Sequence, residues 1–261
     1  MKSLHIASTG MMAQQLNVDV ISNNIANMRT TGYKRQRAEF QDLLYQNLRR
    51  GGASTSGEGS TVPSGIQIGA GVKTGATYRI MSQGTLTPTD KTLDIAVRGE
   101  GFFQIQMPNG QTAYTRDGTF ERDDEGNMVT LDGYRLVPNI VIPADARDVA
   151  ISVDGTVEAF LAQDAAATNL GQITLTRFAN KAGLEAIGDN LLLETPSSGA
   201  ANTVIATNDG AGSLLQKYVE ASNVNAVQEI SDLIAAQRAY EMNSKVITVS
   251  DEMMSVTARL K

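Results

Sequence analysis

The sequence predicts an α+β protein: long terminal α-helices, paired in a coiled-coil-like base in the assembled form, flank a central and mostly antiparallel β head domain. Three observations carry this. Apolar residues recur every seven positions at the two ends of the 261-residue chain, the spacing that keeps one helix face turned towards another helix. Between them the apolar residues alternate with period two, and tight-turn dipeptides punctuate the run. Two Gly/Ser-rich stretches interrupt the middle. The expected organisation is an N-terminal helix of the assembly core over 1–32, a connecting segment with a flexible insertion loop over 33–75, a β-rich head over 76–212 and a C-terminal core helix over 213–261.

The N-terminal helix is read over residues 3 to about 28. Leu4, Met11, Val18 and Ile25 recur every seven residues, and Ala7, Ile21 and Met28 each fall three residues after a member of that series. Thr30-Thr31-Gly32 ends it, with Gly32 placed for a left-handed cap. From Tyr33 to Arg50 the pattern is ambiguous: Phe40, Leu43, Leu44 and Leu48 fit a helical period, yet such a cluster also fits an extended segment. The run from Gly51 to Ser60 is almost wholly Gly, Ser, Thr and Ala and reads as a flexible loop.

From about Ile66 to Ala206 the signals are β. Ile66 and Ile68 alternate, as do Leu93, Ile95 and Val97, and Phe103 with Ile105. Asn109-Gly110, Asp117-Gly118, Gly126-Asn127, Asp132-Gly133 and Asp154-Gly155 mark the turns, because tight hairpins need positive φ. A second soft stretch from Pro196 leads out towards Gly210-Ala211-Gly212. The C-terminal helix begins near Val224. It carries Ala239, Val246, Met253 and Leu260 as one seven-residue series and Ala235, Met242, Val249 and Val256 as its partner, with Leu233, Tyr240, Ile247 and Met254 beside them. A face that wide suits helices packed in a tube better than a two-stranded pair.

Ordering such a helix costs about 1–2 kcal/mol per residue. A fully buried large side chain returns about 1.5–3 kcal/mol, and each hydrogen bond adds about 1 kcal/mol net. Pairing the two helices within one chain therefore comes out marginal, and the sequence expectation is that the ends gain order on assembly.

Composition removes several function classes. The formal charge of −6, from 22 basic and 28 acidic residues, weighs against nucleic-acid binding. Without cysteine there are no disulfides, thiolate metal sites or cysteine nucleophiles. No apolar run reaches the roughly 18 residues of a membrane span, and the opening Met-Lys-Ser-Leu-His lacks the form of a cleavable secretory signal. His5, the single histidine, has no metal or triad company and reads as a surface or interface residue. Asp123-Asp124-Glu125-Gly126-Asn127 lacks the ligand spacing of a calcium loop and reads as a solvated turn. Gly99-Glu100-Gly101 reads as a turn or bulge, and Lys34, Arg35 and Arg37 as a solvated basic segment. No catalytic constellation, cofactor site or small-molecule substrate site is found.

Two motifs carry a resemblance. Asn23-Asn24-Ile25-Ala26-Asn27 followed by Thr31-Gly32-Tyr33-Lys34-Arg35 resembles the N-terminal signature of bacterial flagellar rod and hook proteins. Ser222-Asn223-Val224-Asn225 followed by Leu233-Ile234-Ala235-Ala236-Gln237-Arg238-Ala239-Tyr240-Glu241-Met242-Asn243 resembles the C-terminal one, and the segment from Asp94 to Phe103 is similar to the family's head domain. Within the family, Pro63-Ser64-Gly65-Ile66-Gln67-Ile68-Gly69 stands where the distal-rod branch carries an insertion, here spanning Gly51, Gly59, Pro63, Gly65 and Gly69.

The resemblance implies a non-enzymatic structural subunit without cofactor, a homopolymer forming a tubular helical drive shaft from motor to hook. Its implied neighbours are other rod proteins, hook or hook-junction subunits, the surrounding L/P ring bushing and the flagellar type III export apparatus. Export would need no cleavable signal, and the rod would cross the periplasm. The expected assembly interface is Leu4, Met11, Val18, Ile21, Asn24, Ile25 and Asn27 at one end, with Leu233, Gln237, Tyr240, Val246, Ile247, Val249, Met253 and Met254 at the other. Another axial protein of the same family, or a periplasmic or surface binding module, is the competing expectation.

Overall fold

Seven-residue periodicity at the ends becomes two helices, α1 (Lys2–Ala26) and α2 (Ala226–Arg259), in a computed structural model that describes residues 2–49, 51, 64–161 and 167–259. The chain divides into two compact units: residues 1–25, 36–78 and 226–261 form the first, and residues 26–35 and 79–225 the second.

In the first unit α1 and α2 run antiparallel in a fixed register. Ser3 Oγ lies 3.4 Å from Ser250 Oγ, Gly10 faces the Asn243 side chain, and Asn24 Nδ2 donates to Glu229 Oε2 at 3.0 Å. Seven residues separate Ser3 from Gly10 and Asn243 from Ser250; fourteen separate Gly10 from Asn24 and Glu229 from Asn243. The seam is thus a heptad line of small and polar residues, one position before the Leu4 series. The same register sets Asn17 opposite Ala236, which is buried. The missing side chain of Gly10 leaves room there for the Asn243 amide.

The same unit resolves the ambiguous stretch after Tyr33. It is extended, not helical: β1 (Gln36–Asp42) pairs with β4 (Val72–Arg79), and β2 (Tyr45–Arg49) pairs antiparallel with β3 (Ile66–Gly69). A segment of mixed residues takes strand form when a partner supplies its backbone hydrogen bonds, and the β-branched and aromatic Val72, Thr74, Thr77 and Tyr78 of β4 supply that partner. Leu44, Tyr45, Leu48, Ile66 and Ile68 are exposed around the β2–β3 pair.

The second unit is built on antiparallel β pairs, with one short 3-10 turn at Lys181–Gly183 among the described residues. A seven-stranded sheet runs in the order Glu185–Gly188, Leu191–Leu193, Thr112–Thr115, Phe103–Gln106, Arg135–Val137, Met128–Val129 and Glu121–Arg122. A three-stranded sheet joins Ala146–Ile151, Thr156–Leu161 and Ala167–Gln172, and two-stranded pairs complete the unit. Consecutive strand residues point to opposite faces, so Phe102 and Phe103 serve two cores. Phe103 stacks edge-on against Phe120 at 5.2 Å among Ile95, Ile105, Met128 and Leu136, while Phe102 joins Tyr114, Phe178 and Leu184.

Four of the five turn dipeptides behave as the sequence predicts, with Gly110, Gly126, Gly133 and Gly155 at positive φ. Gly118 differs: it packs against the Ile95 carbonyl, where a Cβ would lie 1.7 Å from the oxygen. Residues 213–220, grouped in the sequence reading with the C-terminal helical segment, are strands: Ser213–Gln216 pairs with Ile95–Arg98 and Tyr218–Glu220 with Leu86–Pro88. Leu214 is fully buried there, which fixes this stretch in the β unit.

Candidate assembly site

The polar signature residues do structural work at two places. In the first unit Asn24, 1% exposed, is a three-way clamp. Its Nδ2 donates to the Gln36 carbonyl at 2.8 Å and to Glu229 Oε2, and its Oδ1 accepts from the Gln36 N–H at 2.8 Å. One amide thereby extends the backbone pattern of β1 and ties it to both helices. Thr9 Oγ1 adds a second tie, donating to the Ile6 carbonyl and accepting from the Val72 N–H.

In the second unit the two signatures meet around a buried ion cluster. Lys34 Nζ lies 2.5 Å from Glu220 Oε1, with both side chains almost fully buried, and also donates to the Ser82 carbonyl at 2.8 Å. The Gly84 N–H donates to the same carboxylate oxygen, and Arg116 Nε lies 3.7 Å from Glu220 Oε2. Arg116 in turn donates to the Gly99 carbonyl and stacks over Phe102. Burial pushes the Lys34 ammonium below the usual lysine range, and Glu220 pulls it only part of the way back. Asn223 closes the arrangement, accepting from the Arg35 N–H at 2.7 Å and donating to the Ile80 and Ser82 carbonyls. Gly32 takes the left-handed conformation, φ 70°, and donates its N–H to the Glu220 carbonyl. The solvated reading of Lys34 is therefore corrected: it is an internal cation. Nothing in the sequence marked Glu220, Arg116 or Asn223 as its company, because they come from segments far apart in the chain.

Three family models match the chain, described as "Flagella basal body rod protein" over residues 4–34, "Flagellar hook protein FlgE/F/G D1 domain" over 96–159 and "Flagellar basal body rod FlgEFG protein C-terminal" over 215–260. The flagellar basal-body rod protein FlgG of Caulobacter vibrioides is 56% identical over 261 residues, covering 100% of both chains. This chain belongs to the FlgG rod family. The FlgG of Agrobacterium fabrum is 52% identical over 259 residues and that of the Buchnera aphidicola strain from Acyrthosiphon pisum 45% over 258, each covering 99% of both chains. The residues matched by the two rod-protein family models at the ends include all four of Asn24, Lys34, Glu220 and Glu229.

The remaining sequence-predicted residues sort by helix face. On α1, Ile21 is buried, while Leu4, Met11, Val18 and Ile25 are half-buried, as is Asn27 in the turn that follows the helix. On α2, Leu233, Ile247 and Met254 are half-buried on the side that carries Asn243 and Ser250, whereas Gln237, Tyr240, Val246, Val249 and Met253 are exposed. Val18, Gln237 and Tyr240 line one shallow hollow. Gly51, Gly65 and Gly69 border the β2–β3 pair, Gly65 exposed and Gly69 half-buried; Gly59 and Pro63 lie outside the described residues. A Cβ on Gly10 would sit 2.9 Å from Asn243 Nδ2. Gly10→Leu is therefore expected to push the helices apart and lower stability by about 1–3 kcal/mol, read as a fall in the thermal midpoint of helix circular dichroism.

No helix among the described residues is long and apolar enough to cross a membrane. Among the same residues no group of three or more His, Asp or Glu is arranged to hold a metal ion.

Proposed function

We propose that this chain is a structural subunit of the flagellar distal rod, polymerising with copies of itself into a tubular drive shaft. The observation that carries the reading is the division of labour on α2. One face meets α1 within the chain, while Met242, Val246, Val249, Met253 and Val256 form a bare stripe along its flank, each 42–64% exposed. An apolar stripe of that length on an isolated chain marks an association surface. The half-buried Leu4, Met11, Val18 and Ile25 of α1 and the hollow around Tyr240 complete the interface, and Gly51, Gly59, Pro63, Gly65 and Gly69 belong to the rod-specific insertion. The relatives' rod names and the family descriptions support the same reading. Torque passes through packing, with no cofactor and no chemical step. The neighbours are other rod proteins, hook or hook-junction subunits, the L/P ring bushing and the type III export apparatus.

The test is cryo-electron microscopy of basal bodies from cells carrying a small tag in the loop at Asn109-Gly110. Tag density along the distal shaft, lost when the gene is deleted, is the expected result. A normal shaft in the deletion strain would overturn it.

A further inference from the structure

A pocket within the second unit is lined by three cations, Lys34, Arg79 and Arg116, with Tyr33, Phe102 and Asp189 among the other lining residues. Glu220 engages Lys34 and Arg116. Arg79 has no carboxylate partner among the described residues, although it is half-buried. Burial pushes its guanidinium below the usual arginine range, and the Tyr33 phenol offsets this only in part.

A guanidinium cannot shed its charge to relieve such burial, and it presents a planar fork of donors. The group that satisfies this fork is a planar carboxylate taken in bidentate fashion. Asp189, held in a left-handed turn at φ 50°, places a negative charge in the pocket, which weighs more heavily against a doubly charged phosphate than against a single carboxylate.

We propose that this pocket receives an aspartate or glutamate side chain from a second copy of this chain, clamped by Arg79. The inference rests on the polymer reading above. In a homopolymer each copy offers its neighbours the same surface, and this chain's surface runs to acid, with 28 acidic against 22 basic residues. Exposed acidic turns such as the one bearing Asp124 are of the right kind. A pocket on one copy filled by a different patch of the next is a heterologous contact, which propagates along an open helical filament.

The test uses the full-length purified chain. Arg79→Lys puts a primary amine in the pocket, and a carbodiimide joins such an amine to a carboxylate in direct contact. Mass spectrometry of the treated polymer is expected to find position 79 linked to an acidic residue of another copy, a link absent from dilute unpolymerised chain. Arg79→Gln should raise the concentration needed for polymerisation about tenfold, the loss of one charge-assisted contact, with the thermal midpoint of the free chain unchanged. Polymer that forms with no intermolecular link at position 79, or with a link inside one chain only, overturns the proposal while leaving the polymer reading intact. Failure of the unmodified chain to polymerise overturns both.

Discussion

Glu220→Gln is expected to lower the stability of the β unit by about 3–5 kcal/mol, the usual consequence of removing one partner from a buried ion pair. The variant leaves two buried cations, Lys34 and Arg116, facing a neutral amide. The glutamine carbonyl can still accept from the Gly84 N–H, so the loss isolates the charge and not the hydrogen-bond geometry. Urea unfolding followed by far-ultraviolet circular dichroism should show a lower midpoint with an unchanged slope. Lys34→Met combined with Glu220→Leu should be less destabilised than Glu220→Gln alone, since it leaves one buried cation without a carboxylate where Glu220→Gln leaves two, and that cation, Arg116, keeps its bonds to the Gly99 and Val97 carbonyls. A shift below about 1 kcal/mol in the single variant, the range of solvated pairs, would show that water reaches the cluster.

Val249→Asp is expected to abolish polymerisation while leaving the single chain folded. Val249 is 42% exposed on the bare side of α2, so a carboxylate there meets only water until another helix covers it. Covering it then costs several kcal/mol, enough to move the required concentration out of reach. Ile247→Asp supplies the contrast. Its side chain is half-buried on the side of α2 that carries Asn243 and Ser250, so it should weaken the helix pair of the free chain as well as the polymer. Light scattering for assembly and helix circular dichroism for the chain separate the two. A Val249→Asp chain that polymerises at the unmodified concentration would remove that stripe from the interface.

The helices were legible from the chain alone because a seven-residue apolar series leaves few other solutions. Which line forms the seam was not. Leu4, Met11, Val18 and Ile25 look like the natural contact, yet Ser3, Gly10 and Asn24 carry the contacts that set the register with α2, and their polarity or small size hides them from an apolar pattern. The turns were legible wherever positive φ was the whole requirement, as at Gly133. Gly118 shows the limit, since its need is space beside a carbonyl far along the chain. The extended form of residues 36–49 depends on partners at 66–79, and the Lys34–Glu220 pair joins residues 186 apart. Periodicity carries no trace of either. Of the residues that proved central to the second unit, Lys34 and Asn223 fall within the motifs of the resemblance, and Glu220 and Arg116 carry no signal at all.

The antiparallel register of α1 and α2 sets Ser3 and Ser250 together at one extremity and Asn24 and Glu229 at the other. A pull on either terminus consequently loads the contacts one after another, as in unzipping, and not all at once, as in shear. The first to part is a pair of hydroxyls 3.4 Å from each other; the last is a buried amide and carboxylate. Resistance climbs as the separation proceeds, so a helix that has let go a turn or two can snap back, whereas one drawn past Asn24 has also lost its hold on β1. The pair is a graded latch, soft at the tip and firm at the root.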